Sequence, residues 1–185
     1  MMPPPILLAS ASPRRSELLR QIGIAHEVRP VALDESTHAH GALAAYVLRL
    51  AESKARTLWE RLATHERRPV LAADTTVALE GEIFGKPADA AESRAMLQRL
   101  SGRTHRVNTA VALVHAKGAA ARVSSSDVSL RDLSAAELDW YWNTGEPADK
   151  AGGYAVQGRA AIFIRHIAGS YSGVMGLPLF ETWEL

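Results

Sequence analysis

The apolar run Ile6-Leu7-Leu8-Ala9 passes without a break into Ser10-Ala11-Ser12-Pro13-Arg14-Arg15, and this junction constrains the fold more than any other stretch. Four consecutive apolar residues suit a strand buried on both faces, since a half-exposed strand alternates apolar with polar. Such a strand needs cover above and below, which favours a sheet flanked by helices. Ser12 offers an N-cap, and Pro13 fits the first helical position, where its missing N–H costs nothing. Leu18, Leu19 and Ile22 then recur at helical spacing as far as Gly23. A strand over 25–31 and a polar segment from Asp34 to Gly41 follow.

Helical periodicity returns over 42–62, with Tyr46, Val47, Leu50, Leu58 and Leu62 in its stripe. Residues 69–73 read as a second buried strand ending at Asp74, and 76–84 as a hairpin turning at Glu80-Gly81. A helix is expected over 88–100, then paired strands over 105–115 and 120–130 joined through Lys117-Gly118. Ser134 and Glu137 have the spacing of a capping box. A glycine-rich loop, a strand over 160–167 and a short helix after Pro178 complete the chain. Strands and helices alternate first and paired strands come later, so the expected class is α/β with a mixed sheet, in one domain of 185 residues.

Charge narrows the partners. Lys and Arg number 21 against 20 Asp and Glu, a net charge of +1, whereas nucleic-acid binders carry a marked basic excess. Any bound anion is then small and held by a few placed cations. With no cysteine, disulfides, thiolate zinc sites and cysteine nucleophiles are excluded. No apolar run approaches the ~18 residues of a membrane span. Ala9-Ser10-Ala11 imitates a signal-peptidase site, but the apolar stretch before it is short and no basic residue precedes it; a cytoplasmic location is expected.

Arg14 and Arg15 stand in the first turn of the expected helix, where the macrodipole is already positive and each cation costs ~0.3–1 kcal/mol. An anion there reverses the sign, because free N–H groups and guanidiniums converge on it, with Ser10 and Ser12 as further donors. A capped surface helix with solvated arginines accounts for the same residues, so both readings stay open. The Gly-Lys-Ser/Thr ending of a Walker loop is missing. Asp74 follows four apolar residues and so falls at a strand's carboxyl edge, where open α/β sheets bind ligands, although a turn-forming Asp fits equally. Glu35 and Asp74 together suit a hard cation such as Mg²⁺, which needs one or two carboxylates plus phosphate oxygens. Lys54 falls late in the second helix, and Pro87 restricts Lys86 to an extended backbone. His38 and His40 lack a third ligand at zinc spacing, and no Gly-x-Ser-x-Gly elbow exists.

The order of Leu8-Ala9-Ser10-Ala11-Ser12-Pro13-Arg14-Arg15, Asp34-Glu35, Glu52-Ser53-Lys54-Ala55, Ala72-Ala73-Asp74-Thr75, Gly85-Lys86-Pro87, Leu100-Ser101-Gly102, Lys150-Ala151-Gly152-Gly153-Tyr154 with Gln157-Gly158, and Gly169-Ser170-Tyr171 with Gly176-Leu177-Pro178 resembles the Maf family of nucleoside triphosphate pyrophosphatases over nearly the whole chain. The resemblance implies an elongated, twisted mixed sheet flanked by helices, with two lobes around a cleft, and frequent homodimers. It implies hydrolysis of a nucleoside triphosphate to monophosphate and pyrophosphate with Mg²⁺ or Mn²⁺, and a link to septum formation that a nucleotide-binding regulator with little catalysis would also satisfy. By position Asp74 matches the catalytic proton acceptor, and Arg14, Glu35, Lys54 and Lys86 the phosphate- and metal-handling positions. Arg14, rather than the arginine pair, is the main expected phosphate contact, with Arg15 serving the fold.

The branch of the family acting on dTTP and UTP looks like this chain, with Thr75 after Asp74 and Gln at 157; a branch acting on 7-methyl-GTP has Gln and Glu there. Gln157 carries a carbonyl acceptor and an amide donor, which match the imide N–H and adjacent carbonyl of uracil and thymine. Guanine presents two adjacent donors, which a carboxylate suits better. The expected substrates are therefore dTTP, UTP and modified uridine nucleotides.

Overall fold

A computed structural model describes residues 5–32 and 43–185. Asp34, Glu35, His38 and His40 lie outside them. The chain begins with β1 (Ile6–Leu8), α1 (Pro13–Gln21) and β2 (His26–Val28), β2 being shorter than the expected 25–31. Ser12 occupies the N-cap of α1 and Pro13 its first turn, as the residues predict. The capping bond differs, however: the Ser12 side chain makes none, and the Ser12 N–H instead donates to Ser10 Oγ at 3.2 Å. At the other end Gly23 takes φ +74°, and the Gly23 and Ile24 amides donate to Arg20 and Leu19 carbonyls, closing the helix.

Next come α2 (Leu43–Arg61), β3 (Val70–Leu79), β4 (Glu82–Phe84), α3 (Ala90–Leu100), β5 (Thr104–His115) and β6 (Gly118–Leu130). They are followed by α4 (Ala135–Trp142), β7 (Ile164–Ala168), α5 (Tyr171–Met175) and α6 (Leu179–Glu184). The seven strands form one mixed sheet in the order β2-β1-β3-β5-β6-β7, with β4 paired to β3 alone. β1 runs parallel to β2 and to β3, while the β3–β4 and β6–β7 pairs are antiparallel. Among the described residues no helix is long and apolar enough to cross a membrane.

Two expectations are corrected. The strand expected to end at Asp74 and the first arm of the hairpin after it are one strand, β3, which runs unbroken through Asp74 to Leu79. The hairpin turn does fall at Glu80-Gly81, both with positive φ (52° and 85°), as a two-residue hairpin requires. The strand expected over 160–167 begins only at Ile164, because 159–163 form a 3₁₀ turn. The amides of Arg159 and Ala160 donate to the Glu146 carboxylate and that of Ala161 to the Gly158 carbonyl, so none is left for a ladder.

The chain divides into two compact units. The first comprises Met1–Asp74, Thr109–Ser124 and Gly176–Leu185. Its core sets Val47, Ala51, Ala55, Leu58 and Leu62, one face of α2 and its continuation, among Leu7, Ala9, Val70, Ala72, Ala110, Ala112 and Val114 of the strands. Six of those residues are alanines, whose small side chains let the helix lie close to the sheet. The second unit, Thr75–Asn108 with Ser125–Met175, packs larger residues: Phe84, Leu97, Leu100, Val107, Leu138, Tyr141, Tyr154 and Phe163. Ser134 and Glu137 form the full capping box that starts α4.

Within that second core His105 is 2% exposed, and its Nε2 lies 2.7 Å from Tyr154 Oη. Burial pushes its imidazole down to about 4, and the Asp127 charge only partly opposes this. The unfolded chain therefore takes up a proton, between pH ~6.5 and pH ~4, that the folded chain refuses, and stability falls as pH drops through that window. Urea melts at pH 7 and pH ~4 should show wild type losing about 3 kcal/mol more than His105→Gln. Equal losses would mean that His105 is not held neutral.

Candidate active site

Strand β1 stops at Leu8, where its partner in β3 is Leu71, and the Ala9 amide still donates to the Leu71 carbonyl at 2.8 Å. Beyond this point the first chain turns away through Ser10-Ala11-Ser12 into α1, while β3 continues to Asp74. Ser10 and Asp74 thus both lie past the carboxyl end of the parallel β1–β3 pair, the position at which open α/β sheets bind ligands. The sequence placed Asp74 at the end of its own strand; the structure places it within β3, beyond the end of the neighbouring strand.

The turn after β1 is tied down by Arg15. Its Nη1 donates to Ser10 Oγ at 3.1 Å and its Nε to the Gly176 carbonyl at 2.7 Å, joining the helix start to the segment that leads into α6. Ser10 Oγ therefore accepts twice, from Arg15 and from the Ser12 amide, and its own proton is what it has left to offer an acceptor. Ser10 is 6% exposed, whereas Arg14, one residue before Arg15, is half-buried. Nothing in the sequence pointed to the Gly176 carbonyl, because a backbone acceptor 161 residues away leaves no local signal.

The second feature is an ion pair. Lys54 Nζ donates to Asp74 Oδ1 at 2.6 Å, with the two side chains only 13% and 11% exposed. Its cause lies in the packing. Ala51 and Ala55 on α2 share one cluster with Ala72 two residues before Asp74, and this close approach brings the helix's lysine onto the strand's carboxylate. A carboxylate oxygen is the hard donor that Mg²⁺ or Mn²⁺ takes, and one or two carboxylates suffice when phosphate supplies the rest, so Asp74 fits such an ion. Among the described residues no three His, Cys, Asp or Glu form a metal cluster.

Ser10, Ser12, Arg14, Arg15, Lys54 and Asp74 belong to the first unit, and Thr75, Lys86 and Gln157 to the second. The structure joins Ser10 with Ser12 and Arg15, and Lys54 with Asp74. Thr75 follows Asp74 on β3 and is half-buried; Lys86 is exposed between β4 and α3, ahead of the buried Pro87. The carbonyl of Gly85 accepts from the Gly152 amide at 2.9 Å, which ties the Lys86 segment to the glycine-rich loop. Gln157 is exposed in a turn over 156–158 at the far end of that loop.

A parallel β-α-β start with a basic helix N-terminus, and a buried ammonium–carboxylate pair on β3 past the end of β1, define an α/β protein with a polar site where the parallel β1–β3 pairing stops. The chain belongs to the Maf family, matching the family described as Maf-like protein over residues 5–185. It is 53% identical to the dTTP/UTP pyrophosphatase of Bordetella avium (strain 197N) over 98% of this chain and 94% of that one. It is 51% identical to the dTTP/UTP pyrophosphatase of Alkalilimnicola ehrlichii, over 98% and 91%. Among solved structures, the Ham1 protein of Staphylococcus aureus aligns over 70% of this chain and 73% of that one at 16% identity and a TM-score of 0.47.

Removing one partner of the buried pair strands the other charge. Lys54→Met is expected to lower unfolding stability by about 3 kcal/mol in urea melts, with most of the loss recovered in Lys54→Met/Asp74→Leu. A loss under about 1 kcal/mol would mean that the pair is solvated like a surface salt bridge.

Proposed function

We propose that this protein hydrolyses nucleoside triphosphates to the monophosphate and pyrophosphate, with dTTP, UTP and modified uridine nucleotides preferred. The observation that carries the reading is the Lys54–Asp74 pair on β3, past the carboxyl end of its parallel pairing with β1. The names and near-complete coverage of the relatives at 53% and 51% identity support it.

In the reaction, water attacks the α-phosphorus, the bond to the bridging oxygen breaks, and pyrophosphate leaves. Asp74 accepts the proton of the attacking water. Charge gathers on the phosphate oxygens, and Arg14, Lys54 and Lys86 stabilise it, with the Ser10 and Ser12 hydroxyls and the N-terminal amides of α1 as further donors. Arg15 supports them by fixing the turn after β1. Asp74 and Glu35 would hold a divalent cation, Mg²⁺ or Mn²⁺, which when bound neutralises phosphate charge and makes water more acidic. Gln157 reads the base through its carboxamide, with Thr75 beside the catalytic Asp74. A cytoplasmic homodimer that clears unwanted nucleotides, with an influence on cell division, completes the proposal.

Nucleoside triphosphates supplied with Mg²⁺ or Mn²⁺ should yield pyrophosphate, fastest from dTTP and UTP. Asp74→Asn should lower kcat by about 10²–10⁴-fold while still binding nucleotide. No pyrophosphate from any triphosphate would refute the enzyme and leave a nucleotide-binding regulator. Gln157→Glu should shift the ratio of kcat/KM for dTTP over GTP by about tenfold or more toward GTP, and an unchanged ratio would remove Gln157 from base reading.

A further inference from the structure

Gln157 sits in the middle of a turn whose two ends are held by the same pair of side chains. Before it, the Ala155 amide donates to Tyr141 Oη at 3.1 Å. After it, the Arg159 amide donates to Glu146 Oε2 at 2.9 Å, and the Ala160 amide to Glu146 Oε1 at 3.3 Å. The couple is closed by the Tyr141 hydroxyl, which donates to Glu146 Oε1 at 2.7 Å. Within the turn the Gly158 amide donates to the Ala155 carbonyl at 3.0 Å.

The residue types suit this arrangement. An ionised carboxylate only accepts, so Glu146 can take a hydroxyl and two amides at once without offering a donor in return. Burial alone would raise its pKa, but the Tyr141 hydroxyl, the Arg159 and Ala160 amides and the Lys150 charge outweigh that and hold it below the ordinary carboxylate value. Any Cβ at Gly158 would overlap the Glu146 carboxylate, so glycine there lets the clamp close. Tyr141 is fully buried, and its ring meets Phe163 edge-on with centroids 5.3 Å apart, which anchors the clamp in the core of its unit. Ala155, Val156 and Ala160 are buried on either side while Gln157 is exposed, so the segment presents that one carboxamide from a fixed backbone.

We propose that Glu146 and Tyr141 are positioning residues for base recognition, holding the turn that carries Gln157 at both ends. The proposal rests on the reading of Gln157 as the base-reading residue. Neither side chain touches substrate; each acts through the backbone on either side of Gln157. A carboxamide distinguishes an imide from two donors only when its oxygen and nitrogen are held in a fixed orientation, so loosening the turn erodes discrimination before it erodes turnover.

The test is steady-state kinetics on dTTP and dGTP, identical in their triphosphates and different in their bases. The proteins are wild type, Gln157→Ala, Glu146→Gln, Tyr141→Phe and Tyr141→Phe/Gln157→Ala. Glu146→Gln replaces one acceptor oxygen by a donor, and Tyr141→Phe keeps the ring packing while removing the hydroxyl. Each is expected to lower the preference for dTTP over dGTP about tenfold, through a higher KM for dTTP with the dGTP constants held. The double variant should be no less selective than Gln157→Ala alone, because the clamp acts only through that side chain. If Gln157→Ala abolishes the preference while both clamp variants stay within about twofold of wild type, or lose activity equally on both substrates, the positioning role is overturned and base reading stands. If Gln157→Ala leaves the preference intact, base reading itself fails and the clamp's role falls with it.

Discussion

A lysine and an aspartate with little access to water meet at 2.6 Å between α2 and β3, and the first unit is arranged to allow it. Two charges leave water only where the backbones that carry them approach closely enough for direct contact, because the desolvation of each is repaid only by good geometry. The alanines at 9, 51, 55, 72, 110 and 112 supply that approach. Larger side chains at those places would hold α2 away from the sheet and leave Lys54 and Asp74 apart. Buried ion pairs add little net stability compared with apolar packing, so a pair set on β3 past the end of β1 is better understood through chemistry than through folding.

Elsewhere the polar groups divide their work. Arg15 and Ser10 use their hydrogen bonds on one another and on the Gly176 carbonyl, so the turn after β1 is set by internal contacts. In the proposed reaction Arg14 and the N-terminal amides of α1 face the phosphate charge. In the second unit the same division recurs: Glu146 and Tyr141 hold backbone, and Gln157 is presented outward. In both places an inward-facing polar side chain fixes the chain so that a neighbour can act.

Local chemistry was legible in the sequence wherever neighbours decide it. The apolar run 6–9, Pro13 at the helix start, Glu80-Gly81 at the hairpin and the Ser134–Glu137 box all appear where their residues predicted. What failed depended on distant partners. Asp74 reads as a strand terminator because an aspartate is a poor strand residue, yet Lys54 pairs with it and β3 runs on. Residues 160–163 read as strand because they are apolar, yet Glu146 takes the amides of Arg159 and Ala160 and winds them into a 3₁₀ turn. The Lys54–Asp74 contact and the Glu146 clamp follow from packing, which no spacing along the chain displays. The family resemblance supplied what spacing could not, namely which of many solvent-compatible lysines and acids to expect in one site.

The site of water attack is the point on which the proposed chemistry turns. Running the reaction on dTTP in heavy-oxygen water and weighing the products reports it directly, because the new oxygen stays on the phosphorus that was attacked. Label in the nucleoside monophosphate, with unlabelled pyrophosphate released, is the predicted result. Label in the pyrophosphate, or release of orthophosphate in its place, would contradict attack at the α-phosphorus and the role given to Asp74.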